Sequence, residues 1–279
     1  MRTCHWLAPL VSLALAAAPG TTELALTSAD GFALKGTLTL PPAKGKVPVV
    51  ILAHQFGTDG SGWAPLAERL AARGIGILAL DLRGHGASTQ KAGTEVKVTA
   101  DFATSAQAVG FDRIPGDLVQ AAAWLRSQSG VDGRRIGLAG SSVGAFSALL
   151  AAADIRSVAV LGLSPAGTGA FGAGAREKLK NAQLHSHSTV LVLASTGDKD
   201  AFENAQAIKD LPGVAVLLKE GDEHGFAYFK ERADLMAVFF GEYLTYHHTG
   251  KAYVAKAAAP AGAVINDQSV AAKKDAAAK

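Results

Sequence analysis

The sequence predicts an α/β protein: a mostly parallel eight-stranded sheet with helices on both faces. Three observations carry that expectation. Short apolar runs recur at 47–53, 75–80, 135–139, 158–163, 190–194 and 214–218, each with the length of a strand buried on both faces. Helical patterns with recognisable ends separate most of them, which favours right-handed crossovers between parallel strands. A pair of alternating segments, 23–27 and 33–40, flanks Asp30-Gly31 and reads as an antiparallel hairpin at the start of the sheet.

Residues 1–20 are a different kind of sequence. Arg2 gives a positive start, Trp6 to Ala18 is an apolar stretch, and small residues crowd its end. This reads as a secretory signal peptide, cut after Ala16 or Gly20, and is shorter than the roughly 20 apolar residues of a membrane span. The expected location is the periplasm or the medium, with no membrane attachment after processing. Cys4, the single cysteine of the chain, lies ahead of the apolar stretch, where a lipid-modified cysteine would not stand. The processed chain would have no thiol, which excludes disulfides, thiolate metal ligands and a cysteine nucleophile.

After the hairpin come the strand at 47–53, a helix over 63–73 ended by Gly74, and the strand at 75–80. Residues 88–114 show no clear periodicity and read as the longest loop. A helix follows over 115–129, with Pro115 in its first turn and Gly130 at its end. The strand at 135–139 leads into a helix over 145–153. The Gly- and Ala-rich stretch at 165–184, between the sixth and seventh strands, is too short for a large helical cap. From about residue 250 the composition turns to Ala, Lys and Pro, so the chain divides into a signal segment (1–20), one catalytic domain (21–249) and a flexible tail (250–279).

The composition narrows the function classes. Of 279 residues, 49% are apolar and 18% charged, the balance of a well-buried core, and the net charge of +3 is spread without a dense Lys/Arg block. No nucleic-acid partner is implied. The glycines around 84–86 and 167–174 are followed by no Gly-Lys-Ser/Thr and form no G-x-G-x-x-G between strand and helix, so no nucleotide cofactor is expected.

Gly140-Ser141-Ser142-Val143-Gly144 carries the chemistry. A serine between glycines at this spacing, with a buried strand before it and a helix after it, belongs on a strained strand-to-helix turn, which marks Ser142 as a nucleophile. A serine hydroxyl needs a base and a carboxylate that orients the base. The strand at 190–194 runs into Asp198 and Asp200, and the strand at 214–218 runs into Asp222-Glu223-His224. Ser, then Asp, then His is the order expected here, with His224 as base. Asp222 and Glu223 lie too close to His224 in sequence to orient it. The strand at 47–53 ends in His54-Gln55-Phe56-Gly57, whose backbone N–H groups can join that of Val143 in an oxyanion hole.

With these motifs in view, the chain resembles the α/β-hydrolase superfamily, most closely the dienelactone-hydrolase-like esterases. The similarity covers roughly residues 24–247. It rests on the serine turn, His54-x-x-Gly57, Asp81-Leu82-Arg83-Gly84-His85-Gly86-Ala87-Ser88, Gly197-x-x-Asp200 and His224-Gly225-Phe226. The resemblance implies Ser142 as nucleophile, Asp200 as acid and His224 as base, with Asp198 shaping the turn or capping the next helix. It also implies Phe56 and Val143 as oxyanion donors and no metal or organic cofactor.

The chain departs from the pattern at Gln55, where the family usually has glycine; its side chain either crowds the oxyanion site or adds an amide donor. The expected activity is hydrolysis of a small carboxylic ester. Lactone opening, peptide cleavage, perhydrolysis and a non-catalytic binding protein are the rivals. His54 and His85 are expected to be structural, Arg83 to tie strands and loops together, His185-Ser186-His187 to be surface loop, and His247-His248 to end a helix.

Overall fold

The computed structural model describes residues 20–245 and a short strand at 264–266. The apolar N-terminal segment, Cys4 and His247-His248 fall outside the described residues.

Eight strands of five residues or more form the body of one sheet: β1 (Gly20–Thr27), β2 (Phe32–Leu40), β3 (Val47–Ala53), β4 (Gly76–Asp81), β7 (Val131–Ser141), β8 (Ala159–Leu163), β9 (Thr189–Ser195) and β10 (Val214–Lys219). Three shorter pieces complete it: β5 (Gln90–Lys91), β6 (Thr94–Glu95) and β11 (Val264–Asn266). The order runs β11-β10-β9-β8-β7-β3-β4-β2, with β1 on β2. From β4 to β11 all neighbours in that row are parallel, whereas β1 and β4 both pair antiparallel with β2. The hairpin register brings Thr27 opposite Ala33, as the Asp30-Gly31 turn requires.

Alternation along each strand divides the core in two. Val49, Ile51 and Ala53 of β3 face the helices α3 (Ile114–Ser127), α4 (Val143–Ile155), α5 (Ala175–His185) and α6 (Lys199–Ile208), through Leu118, Phe146, Leu149, Leu179 and Ile208. Val50 and Leu52 face α1 (Ala64–Ala71) and α7 (Phe229–Leu244), through Leu66, Leu70, Met236 and Phe240. Helix α4 is buried on nearly its whole circumference, which explains why its sequence lacks an amphipathic stripe.

Two sequence expectations change. Residues 88–114 are not one long loop: they hold β5, β6, helix α2 (Phe102–Val109) and a 3-10 turn at Phe111–Arg113. Asp101 caps α2 by accepting from the Thr104 N–H at 2.8 Å, and Gly110 ends it at φ 77°. Within the stretch assigned to the tail, Val264–Asn266 lies parallel to 216–218 of β10. The stretch at 165–184 carries a 3-10 turn, Thr168–Phe171, and most of α5, which packs on α4 and α6 at the flank of the sheet.

Candidate active site

Strand β7 delivers Ser142 at its carboxyl end. The backbone there has φ 55° and ψ −120°, a left-side conformation that costs a non-glycine residue on the order of 1–3 kcal/mol. The surroundings enforce it. The Ser142 N–H donates to the Leu163 carbonyl at 2.8 Å, and the Ser142 carbonyl accepts from the Phe146 N–H at 3.0 Å. A Cβ on Gly140 would stand 2.3 Å from the Gly144 carbonyl oxygen, and one on Gly144 would stand 2.3 Å from the Ala53 carbonyl oxygen. Both glycines are therefore required by space, and both clashes are with backbone. Ser142 is buried, with 8% of its surface exposed. Val143 opens α4, where the first N–H groups have no intrahelical acceptor.

His224 lies on the loop after β10. Its Nδ1 is 2.7 Å from Asp198 Oδ2, with the imidazole side chain 39% exposed and the carboxylate 13% exposed. This meeting depends on two glycines. The Gly197 N–H donates to the Gly221 carbonyl at 2.7 Å, and a Cβ on Gly197 would stand 2.7 Å from that same oxygen. The loops after β9 and β10 are thereby pressed together, and the residues following each, Asp198 and His224, come within hydrogen-bond reach.

The acid expected from the family spacing is corrected here. Asp200 does not face His224. Asp198 stands at the N-cap of α6 and Asp200 lies in its first turn, so the two carboxylates leave the helix start on different sides. Asp200 accepts from the N–H groups of Gly167 and Thr168 at 2.8 and 3.0 Å and from Thr168 Oγ1 at 2.6 Å, with Arg176 beside it at 3.2 Å. Burial works against its ionised form, but these donors hold its carboxyl below the usual range. Its task is to fix the loop after β8.

The histidine loop is fastened to the serine turn by side chains. The Gly225 N–H donates to Ser164 Oγ at 3.1 Å, and the Phe226 N–H donates to Gln55 Oε1 at 3.0 Å. The Phe226 ring packs edge-on against Trp63 at 5.0 Å and stacks on Phe229 at 5.2 Å. Beneath it, the Tyr228 hydroxyl and Ser195 Oγ are 2.6 Å apart.

The loop after β3 stands beside the same turn. The Gly57 N–H donates to His85 Nε2 at 3.2 Å and the Thr58 N–H to the Gln55 carbonyl at 3.4 Å, which fixes the course of the loop on either side of Phe56. The Phe56 ring joins an aromatic cluster with Phe102 and Phe111 at 5.3 and 6.0 Å. The Gln55 side chain is anchored through its amide oxygen: Oε1 accepts from Ser141 Oγ and from the Phe226 N–H.

The matching family model, the Alpha/beta hydrolase family, covers residues 50–276. The chain belongs to the alpha/beta hydrolase family. Among solved structures, this alpha/beta hydrolase is similar to the dienelactone hydrolase of Anabaena variabilis, with a TM-score of 0.59 and 21% identity over 80% of this chain and 99% of that one. It is similar also to acetyl xylan esterase 1 of Thermoanaerobacterium, with a TM-score of 0.60 and 18% identity over 81% and 88% of the two chains. An esterase of Pyrococcus furiosus superposes with a TM-score of 0.62 and 18% identity over 81% and 93%. No curated protein matches the sequence.

His54 and His85 of this alpha/beta hydrolase brace loops. His54 Nε2 accepts from the Leu82 N–H at 2.9 Å, and burial lowers its pKa to about 4. Burial lowers that of His85 as well. Arg83 is 1% exposed and grips Asp117 through two bonds of 2.7 Å and Asp30 at 3.1 Å; burial alone would pull its pKa down, but these carboxylates leave it raised. His185 closes helix α5 with Nδ1 on the Asn181 carbonyl at 2.8 Å, so it does not share a strand face with His187. Among the described residues, no group of three or more His, Cys, Asp or Glu side chains is arranged to hold a metal ion.

Sequence reasoning missed the supporting residues Ser141, Ser164 and Tyr228, and it gave Asp198 the lesser role. For Asp198 a signal was present: it directly precedes the helix that follows β9, the position from which a side chain reaches back over the strand ends.

Proposed function

We propose that the chain is a serine hydrolase that cleaves carboxylic esters through an acyl-enzyme, with Ser142 as nucleophile, His224 as base and Asp198 as its orienting acid. The observation that carries this reading is the 2.7 Å pair of His224 Nδ1 and Asp198 Oδ2 on a loop fastened to the strained Ser142 turn. In the first half-reaction Ser142 Oγ attacks the ester carbonyl carbon as its proton passes to His224 Nε2. Asp198 accepts from Nδ1–H, which keeps Nε2 free to act as base and stabilises the imidazolium that forms. The developing oxyanion takes hydrogen bonds from the N–H groups of Val143 and Phe56, which are fixed before reaction and need no reorganisation. Collapse of the tetrahedral intermediate expels the alkoxide, which His224 protonates. Water then repeats the sequence and releases the acid.

Small to medium esters suit the surroundings. Residues 165–184 hold a short 3-10 turn and most of α5 in place of a large helical cap, and Phe102 of α2 stands beside the turn: a Cβ on Gly167 would be 3.0 Å from its Cζ and 3.4 Å from Val143 Cβ. Phe102 also lines a groove of about 430 Å³ with Ala103, Ala106, Gly169 and Ala170. That groove does not include Ser142 or His224, and we read it as an apolar extension for one arm of the substrate. The solved relatives described as esterases support the ester assignment. The apolar stretch from Trp6 to Ala18 supports export to the periplasm or medium.

Pre-steady-state hydrolysis of p-nitrophenyl acetate and butyrate tests the reaction class. A burst of p-nitrophenol equal to the enzyme concentration is expected, and it should vanish in Ser142→Ala. Steady release with no burst, and equal rates for Ser142→Ala, would contradict an acyl-enzyme on this serine.

A further inference from the structure

We infer that Gln55 is a positioning residue for the base: its amide oxygen holds the His224 loop against the nucleophile turn. The inference rests on the serine-hydrolase reading above. Gln55 Oε1 accepts two hydrogen bonds, from Ser141 Oγ at 2.9 Å and from the Phe226 N–H at 3.0 Å. A backbone N–H can only donate, so the atom facing Phe226 must be the oxygen of the amide. One donor immediately precedes the nucleophile and the other stands two residues past the base. A single side chain thus spans the ends of β3, β7 and the loop after β10.

The backbone of Gln55 gives that side chain a fixed root. Its carbonyl accepts from Thr58 Oγ1 at 2.8 Å and contacts His54 Nδ1 at 2.8 Å. The histidine loop in turn is shaped to lie on the amide. Gly225 has φ 55°, and a Cβ there would stand 2.1 Å from Gln55 Oε1 and 2.5 Å from Ser141 Oγ. No other residue type lets the loop descend this far. Because the Gly225 N–H is held by Ser164 Oγ, two consecutive amides after His224 are pinned by side chains from two different strand ends. With glycine at position 55, the Phe226 N–H and Ser141 hydroxyl would lose this common acceptor. The departure from the family pattern thereby becomes a strut rather than an obstruction.

The test compares kcat and KM on p-nitrophenyl acetate for Gln55→Met, Gln55→Glu and Ser141→Ala, with the thermal transition of each. Methionine keeps the length of the side chain but offers no comparable acceptor, whereas glutamate keeps acceptors for both donors and has no amide N–H. We expect Gln55→Met to lower kcat about 10- to 100-fold with KM little changed, as displacement of a base by about 1 Å would. Gln55→Glu should recover most of that loss, and Ser141→Ala should fall between the two.

Full activity in Gln55→Met overturns the inference. So does equal loss in Gln55→Met and Gln55→Glu with Ser141→Ala unaffected, which would assign the amide N–H to the reacting oxygen. Should Gln55→Met fail to fold, the Ser141→Ala and Gln55→Glu results decide by themselves: a slowed Ser141→Ala beside an active Gln55→Glu supports the strut, and the reverse overturns it. Wild-type hydrolysis with no burst and an equal rate in Ser142→Ala defeats the serine-hydrolase reading and the inference with it; hydrolysis that requires Ser142, with the contrary mutant results, defeats the inference alone.

Discussion

Asp198 and Asp200 stand two residues apart and serve different partners. The first reaches the imidazole of His224 at 2.7 Å, while the second collects the amides of Gly167 and Thr168. Asp198→Asn should therefore lower kcat by about 10³–10⁴-fold with an almost unchanged thermal transition, because an amide presents the wrong tautomer to the base. Asp200→Asn should leave kcat nearly unchanged and cost about 1–3 kcal/mol of stability, since the NH₂ that replaces one oxygen must face either the Gly167 and Thr168 N–H groups or the Arg176 and Asn204 donors. Steady-state kinetics and urea titration of the pair check this; exchanged effects would return the acid role to Asp200. At this scale the sequence displayed the local context of Ser142 and of His224: glycines around the one, a strand end before the other. The choice between the aspartates depended on the direction in which α6 starts, and that is set by the contact of Gly197 with Gly221 across two loops.

The strand ends carry a pH liability. His54, at the end of β3, is buried with its pKa lowered from 6.5 to about 4, and His85 is lowered by burial too. In the unfolded chain these groups take up protons near pH 6.5, whereas the folded state resists protonation of His54 until about pH 4. The unfolded state thus binds more protons in that window, and stability must fall as pH drops through it. Between pH 7 and pH 5, above most carboxylate titration, His54 alone should remove about 2 kcal/mol. Urea unfolding at those two pH values measures it, and an unchanged midpoint would mean that His54 is protonated in the folded protein.

Elements were legible to differing degrees. The apolar runs marked all six parallel strands of the body within a few residues, because strands covered on both faces leave no polar alternation to confuse. Helix α2 escaped notice: its eight residues offer only Ser105, Ala106 and Val109 as buried positions, too few for a periodic stripe. Its ends, Asp101 and Gly110, were the available signal.

At the scale of the molecule, parallel strands β7, β9 and β10 bring Ser142, Asp198 and His224 to the same edge of the sheet, and β3 adds the loop of Gln55 and Phe56. Residues distant in sequence become one site because every strand that contributes runs in the same direction. That convergence was readable from the βαβ alternation. The cross-ties were not, since hydrogen bonds such as Ser141 to Gln55 join residues whose types are common in any loop.

The central claim is that this convergence makes Ser142 a nucleophile activated by His224 and Asp198. Labelling with a fluorophosphonate, followed by peptide mass spectrometry, tests it most directly. The account predicts a single adduct on Ser142, absent in Ser142→Ala and formed slowly in His224→Ala and Asp198→Asn. An unlabelled wild-type protein, an adduct on another serine, or labelling indifferent to His224 and Asp198 would contradict it.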